Sequence, residues 1–149
     1  MFGFGKMKKC VKSPQKLFVS GSKSISKLSD AATGLLDDAI KKGMEILVGD
    51  CYGVDAAVQK FFDQRNYANV TVYCSGEKPR NLFLTNGRVR SCSLLSKGLN
   101  GRAFNYVKDI EMSKDCGRAL MIWDGKSPGT RENIKRMLDL NKPFLVVEG

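Results

Sequence analysis

The 149-residue sequence predicts an α/β fold: a Rossmann-like three-layer sandwich with a mainly parallel five-stranded sheet in the order 3-2-1-4-5. Three observations predict it. Short apolar runs alternate from end to end with segments whose apolar residues recur at helical spacing. The runs are continuous, as in strands covered on both faces. Such alternation, joined by right-handed crossovers, builds an open parallel sheet with helices on both sides.

The elements follow in order. Lys16-Leu-Phe-Val-Ser20 is the first strand, ending in Gly21-Ser22. Apolar residues at 32, 35, 36, 39 and 40 mark a helix, with Ser29 as N-cap and Gly43 as its stop. Glu45–Val48 is the second strand. Val54, Ala57, Val58, Phe61 and Phe62 stripe a second helix, and Asn69–Tyr73 is the third strand. Residues 74–103 lack periodicity and are expected to form a mobile flap or an interface, with a small hairpin near Asn86-Gly87. Residues 104–116 read as a helix with Ala103, Tyr106, Val107 and Ile110 on one side. Arg118–Trp123 is the fourth strand, a helix opens near Thr130, and Pro143–Val147 is the last strand. Residues 1–15 form a basic tail, expected to be mobile, and 16–149 a single domain.

In open α/β sheets ligands bind beyond the carboxyl ends of the strands, where the strand order reverses. Three loops are expected to meet there. The first is Ser20, Gly21 and Ser22, whose hydroxyls and N–H groups suit a phosphate. The second is Gly49-Asp50-Cys51-Tyr52-Gly53-Val54-Asp55. Asp50 and Asp55 suit ribose hydroxyls or base amines, with capping of the next helix the alternative for Asp55. Tyr52 either stacks on a base or covers the loop. The third is Asp124, Gly125, Lys126, Ser127, Gly129 and Thr130, a glycine loop opening a helix. There unpaired N–H groups and the helix dipole attract anions, and Lys126 adds a charge. The competing reading is an ordinary turn capped by Thr130. Arg80 and Asn81 lie within reach of a phosphate or carboxamide, or are solvated. Lys108-Asp109 reads as a surface ion pair, and Trp123 as core or pocket wall.

The composition narrows the chemistry. There is no histidine, so imidazole catalysis and His-ligated metals are excluded, and no metal site is expected. Five scattered cysteines without a Cys-x-x-Cys pair read as reduced thiols. No apolar run reaches the roughly 18 residues of a membrane span, and the basic start, with no apolar stretch after it, is not expected to be a signal peptide. A cytoplasmic location and no membrane partner are expected. The net charge is +10, concentrated in Lys6, Lys8, Lys9, Lys12 and Lys16 and in Lys78, Arg80, Arg88, Arg90, Lys97 and Arg102. That favours anionic partners: a nucleotide, a nucleic acid or an acidic protein.

Val19-Ser-Gly-Ser, Gly49-Asp-Cys-Tyr-Gly-Val-Asp, Lys78-Pro-Arg-Asn, Lys108-Asp-x-x-Met and Trp123-Asp-Gly-Lys-Ser-x-Gly-Thr-x-x-Asn-Ile occur in this order. Together they resemble the SLOG superfamily of Rossmann-like nucleotide-binding domains, its YspA-like branch most closely. LOG enzymes and the DNA-processing protein DprA belong to the same group. The resemblance covers about residues 16–147. It implies a nucleotide or nucleotide-derived ligand at the carboxyl edge of the sheet. It also marks a departure. LOG enzymes, and similarly nucleoside deoxyribosyltransferases, carry a glutamate three residues after the Gly-Thr pair, and here that position is Asn133. An amide neither takes a proton nor acts as a carboxylate nucleophile. Glu132 is one residue off, about 100° around the helix.

The expected function is a module that senses or sequesters a nucleotide or an ADP-ribose-like ligand, with no required cofactor. One alternative is cleavage of an N-glycosidic bond, with Asp50, Asp109 or Asp124 as candidate catalytic residues. Another is DprA-like nucleic-acid binding through the basic tail and loop. Homo-oligomerisation stays open.

Overall fold

The computed structural model describes residues 15–149. The basic tail lies outside the described residues, apart from its last position, Gln15. Strands and helices alternate: β1 (Lys16–Gly21), α1 (Asp30–Lys41), β2 (Glu45–Val48), α2 (Val54–Gln64), β3 (Val70–Cys74), β4 (Arg88–Ser91), α3 (Ser93–Ser96), α4 (Gly101–Asp115), β5 (Arg118–Trp123), α5 (Pro128–Asp139) and β6 (Phe144–Glu148). All neighbouring strands pair in parallel, and the sheet is six-stranded in the order β4-β3-β2-β1-β5-β6. The expectation of five strands ordered 3-2-1-4-5 is corrected by the added strand, β4, which pairs with β3 at the sheet edge.

Alternation along β1 divides the core. Leu17 and Val19 face α1 and α2, packing on Leu36, Val58 and Phe62. Phe18 faces the other side and joins Val107 and Met112 of α4 and Met137 of α5. Helices therefore cover both faces, and burial of each large apolar side chain contributes about 1.5–3 kcal/mol. Ser29 caps α1 by accepting from the Ala32 N–H at 3.2 Å. It also donates to the Glu148 carbonyl, tying α1 to the end of β6.

The segment 74–103 departs most from expectation. Arg88-Val-Arg-Ser pairs in parallel with Thr71–Cys74, so no hairpin forms at Asn86-Gly87. Leu84 and Cys92 are buried in the two cores, one on each face. The segment is thus partly core. The arginines of β4 are also neutralised: Arg88 pairs with Glu45, and Arg90 with Asp115 and Glu111. The covering of both faces fails at β6, the strand at the other edge, where Leu145 is 58% exposed.

Helix α4 is rotated from its expected stripe. Val107, Lys108, Asp109, Met112 and Ser113 are its buried residues, and Ile110 is exposed. Its carboxyl end is stapled by Lys142, whose ammonium donates to the carbonyls of Ser113, Lys114 and Cys116 at 2.7–2.8 Å. These carbonyls lack partners within the helix and carry the negative end of its dipole. Lys142→Met is expected to lower stability by about 1–2 kcal/mol, read by urea unfolding.

Cys51, Cys74, Cys92 and Cys116 are free, buried thiols. No helix among the described residues is long and apolar enough to cross a membrane.

Candidate functional site

Parallel topology brings the loops after β1, β2, β3 and β5 to one edge of the sheet. There a recess of about 410 Å³ opens between the sheet and helices α4 and α5. That volume suits a small organic ligand. Ser20 and Gly21 end the strand beneath it, and Asp55 and Arg80 stand on its sheet side. Ser127, Gly129, Thr130 and Asn133 come from α5 and its start, and Lys108 and Asp109 from α4. A second cavity of about 360 Å³, lined by Leu17, Met44 and Phe144, lies at the opposite edge among the strand starts.

The start of α5 carries the clearest sign of a missing partner. Ser127 is the N-cap and Pro128 opens the helix, two residues earlier than expected. Thr130 therefore does not cap it. Its residue is 2% exposed, it lines the recess, and its Oγ1 is the one buried side-chain oxygen or nitrogen without a hydrogen bond among the described residues. A buried hydroxyl left unpaired costs about 1–3 kcal/mol. It sits beside the Gly129 and Thr130 N–H groups, which have no acceptor within the helix.

Asp124 builds this loop. Its Oδ1 accepts from the Lys126 and Ser127 N–H groups, each at 2.8 Å, and its Oδ2 from the Ser24 hydroxyl at 2.7 Å. The Ser24 hydroxyl, then these N–H groups, hold the Asp124 carboxyl below the usual carboxylate range. Asp124, Gly125 and Lys126 are exposed and do not line the recess. The Ser22 hydroxyl accepts from the Asp124 N–H, so this serine fastens the loop and does not face a ligand.

The 49–55 loop is a second fastening. Asp50, 2% exposed, takes both the Arg80 guanidinium and the Arg80 N–H, at 2.8 Å each. This bond holds the guanidinium above its ordinary range. Asn81 donates to the Asp50 carbonyl. Asp50 and Asn81 thus join two loops, and Arg80 alone of the three lines the recess. Gly53 adopts φ +76° and presses on Lys23, where a Cβ would lie 2.5 Å from its backbone. Only glycine fits both demands. Tyr52 is exposed, with the Lys23 ammonium 6.0 Å from its ring. Asp55 does not cap α2; its Oδ2 accepts from the Cys51 N–H at 3.0 Å.

Lys108 and Asp109 are the residues that sequence reading misplaced. They are 5% and 9% exposed, bonded at 2.8 Å, and form a wall of the recess. Burial acts to lower the Lys108 ammonium, but Asp109 and Asp55 outweigh it and hold it above the lysine range. Gly49 makes room for this cluster: a Cβ there would lie 2.5 Å from Asp55 Oδ2 and 3.0 Å from Lys108 Nζ.

Burial lifts the Asp55 carboxyl from 3.8 to about 6, Lys108 opposing and Asp109 and Asp50 adding to the rise. Above pH 3.8 the folded state keeps a proton that the unfolded chain has lost. The stability from that proton falls as pH rises and is gone above about 6. Asp55→Asn lacks this slope. Its stability relative to the native chain is expected to rise between about pH 4 and 6, by on the order of 2–3 kcal/mol, in denaturant titrations across that range.

Asn133 is buried between two partners, donating to the Ser20 hydroxyl at 2.8 Å and accepting from Arg136 at 2.6 Å. Arg136 lies over the ring of Tyr106, 4.7 Å from its centroid, and Tyr106 lines the recess. Lys23, Arg102, Asn105 and the first residue of α4, Gly101, are among the further walls that sequence reading did not assign. The available signal was that 105, 108, 109 and 112 share one helical face. Among the described residues no group of three or more Cys, Asp or Glu side chains is placed to hold a metal.

This is a Rossmann-like α/β protein whose recess sits at the carboxyl edge of a parallel sheet. No family model matches the chain, and neither a curated protein nor a solved structure matches it.

Proposed function

We propose that the chain is a nucleotide-binding module that senses or sequesters a nucleotide or an ADP-ribose-like ligand. The unpartnered Thr130 Oγ1 at the start of α5 carries this reading. A phosphate oxygen supplies the acceptor that this hydroxyl and the neighbouring N–H groups lack. Four cationic side chains (Lys23, Arg80, Arg102 and Lys108) line the recess against two carboxylates, Asp55 and Asp109, which also favours an anion. Tyr106 offers an aromatic wall for a base. The SLOG-like order of motifs supports the same reading.

The test is a thermal-shift and calorimetric screen against nucleoside mono- and diphosphates, ADP-ribose and inorganic phosphate. Selective stabilisation is expected, because a ligand that binds only the folded state raises its stability. No shift with any phosphorylated compound refutes the reading.

N-glycosidic cleavage has one observation in its favour, the Asp55 carboxyl lifted to about 6 on the recess wall, a range suited to proton transfer. Against it, Asn133 stands where the similar enzymes carry a carboxylate. Loss of one such charge commonly costs about 10²–10³ in rate. Little or no free base is therefore expected from adenosine monophosphate or other nucleotides, measured by chromatography. Multiple turnover that survives Asn133→Ala overturns the module reading. Release only in Asn133→Glu supports it.

A further inference from the structure

Five charged side chains form one cluster, four of them (Asp55, Arg80, Lys108 and Asp109) in the lining of the recess and Asp50 bonded to Arg80 outside it. Asp50 and Asp55 come from the β2–α2 region, Arg80 from the loop after β3, and Lys108 and Asp109 from α4. Two of the carboxylates are matched: Asp50 by Arg80 and Asp109 by Lys108. Asp55 has no ion pair among the described residues. Its Oδ2 is held by the Cys51 N–H, and its Oδ1 makes no hydrogen bond among the described residues. The cluster therefore carries one carboxylate in excess, in the wall of a recess whose other features attract an anion. A bound anion and an unmatched buried carboxylate repel strongly where water is scarce. The conflict is relieved by a cation or by a proton, and no metal-holding group of side chains exists among the described residues.

We infer that the recess binds its anionic ligand together with one proton, which is held on the Asp55 carboxyl. The inference rests on the reading of an anionic ligand given above. Burial already favours the protonated form, and the neighbouring charges are those of Asp50, Asp109 and Lys108, with Lys23, Arg80 and Arg102 lining the same recess. The Cys51 thiol and the Tyr106 phenol line the recess as well. An added anion shifts the balance further toward the acid. Because the complex holds the proton more tightly than the free protein, affinity falls as pH rises, by up to about tenfold per pH unit for one proton.

The experiment uses the intact chain and ADP-ribose, whose diphosphate stays fully ionised between about pH 5 and 8, so any proton taken up belongs to the protein. Calorimetric titrations are run across that range in two buffers of unlike ionisation heat. The expected result is a Kd that weakens above about pH 6 and a heat that differs between buffers in the sense of uptake. Both features vanish in Asp55→Asn, which keeps an acceptor for the Cys51 N–H and binds with a pH-flat affinity. A pH-independent Kd with equal heats in both buffers overturns the inference and leaves the nucleotide reading standing. Uptake that persists in Asp55→Asn also overturns it, by placing the proton on another group. If ADP-ribose gives no heat, sulfate takes its place, and the Asp55 carboxyl is followed by carbon NMR. A midpoint raised by saturating sulfate supports the inference, and an unmoved midpoint overturns it. Failure of both anions, and of every phosphorylated compound in the screen above, to bind at any pH removes the nucleotide reading and this inference together.

Discussion

Thr130→Val is expected to make the free protein more stable and its ligand binding weaker. The two effects share one atom. In the free protein the Thr130 hydroxyl is buried without an acceptor. Valine has the same shape without the hydroxyl, so the desolvation penalty of about 1–3 kcal/mol disappears. A gain of that order raises Tm by about 2–12 °C in a chain of this size. A phosphate oxygen bonded to that hydroxyl is worth more than a neutral partner. Its loss weakens binding by roughly ten- to a hundredfold. Differential scanning calorimetry reads the first effect and titration with the best nucleotide of the screen reads the second. A variant that is less stable and binds unchanged shows that the hydroxyl serves the fold alone.

Lys108→Met is expected to be the most damaging substitution in the recess wall. Methionine preserves much of the volume and removes the charge, leaving Asp109 buried without its partner and Asp55 without its nearest cation. Breaking a buried pair in this way costs about 3–5 kcal/mol. The loss has a pH signature. Buried carboxylates deprived of a cation bind protons more tightly in the folded than in the unfolded chain, so the variant recovers stability toward low pH and loses it as pH rises. Urea unfolding at about pH 5 and about pH 7.5 measures this. A deficit under about 1 kcal/mol at both values means that the pair is better solvated than its burial implies.

The parts of the fold legible in the sequence are those where local pattern and tertiary position agree. The runs at 16–21, 45–48 and 118–123 are strands because their apolar residues serve both faces of a covered sheet. Arg88-Val-Arg-Ser was not legible. It has one apolar residue, and its pairing with β3 is fixed by partners far along the chain: Glu45, Asp115 and Glu111. The rotation of α4 escaped for a related reason. A search for apolar residues places Lys108 and Asp109 outside, but each removes the other's charge, and the pair is buried on the recess side. The loops of the recess were legible from glycine and hydroxyl residues at strand ends. Which aspartate faces a ligand was not. Asp50 and Asp55 look alike in sequence, and Arg80, thirty positions from Asp50, separates them by occupying one.

The two fastened loops have a thermodynamic consequence. Asp124 holds its turn by hydrogen bonds to Ser24, Lys126 and Ser127, and Asp50 ties the loops after β2 and β3 together, all without a ligand. The ordering entropy of these backbones is thus lost when the chain folds and not when the ligand arrives. A small molecule meets walls that are already in place, so the heat capacity change on binding reflects the surface covered and carries little contribution from loop ordering.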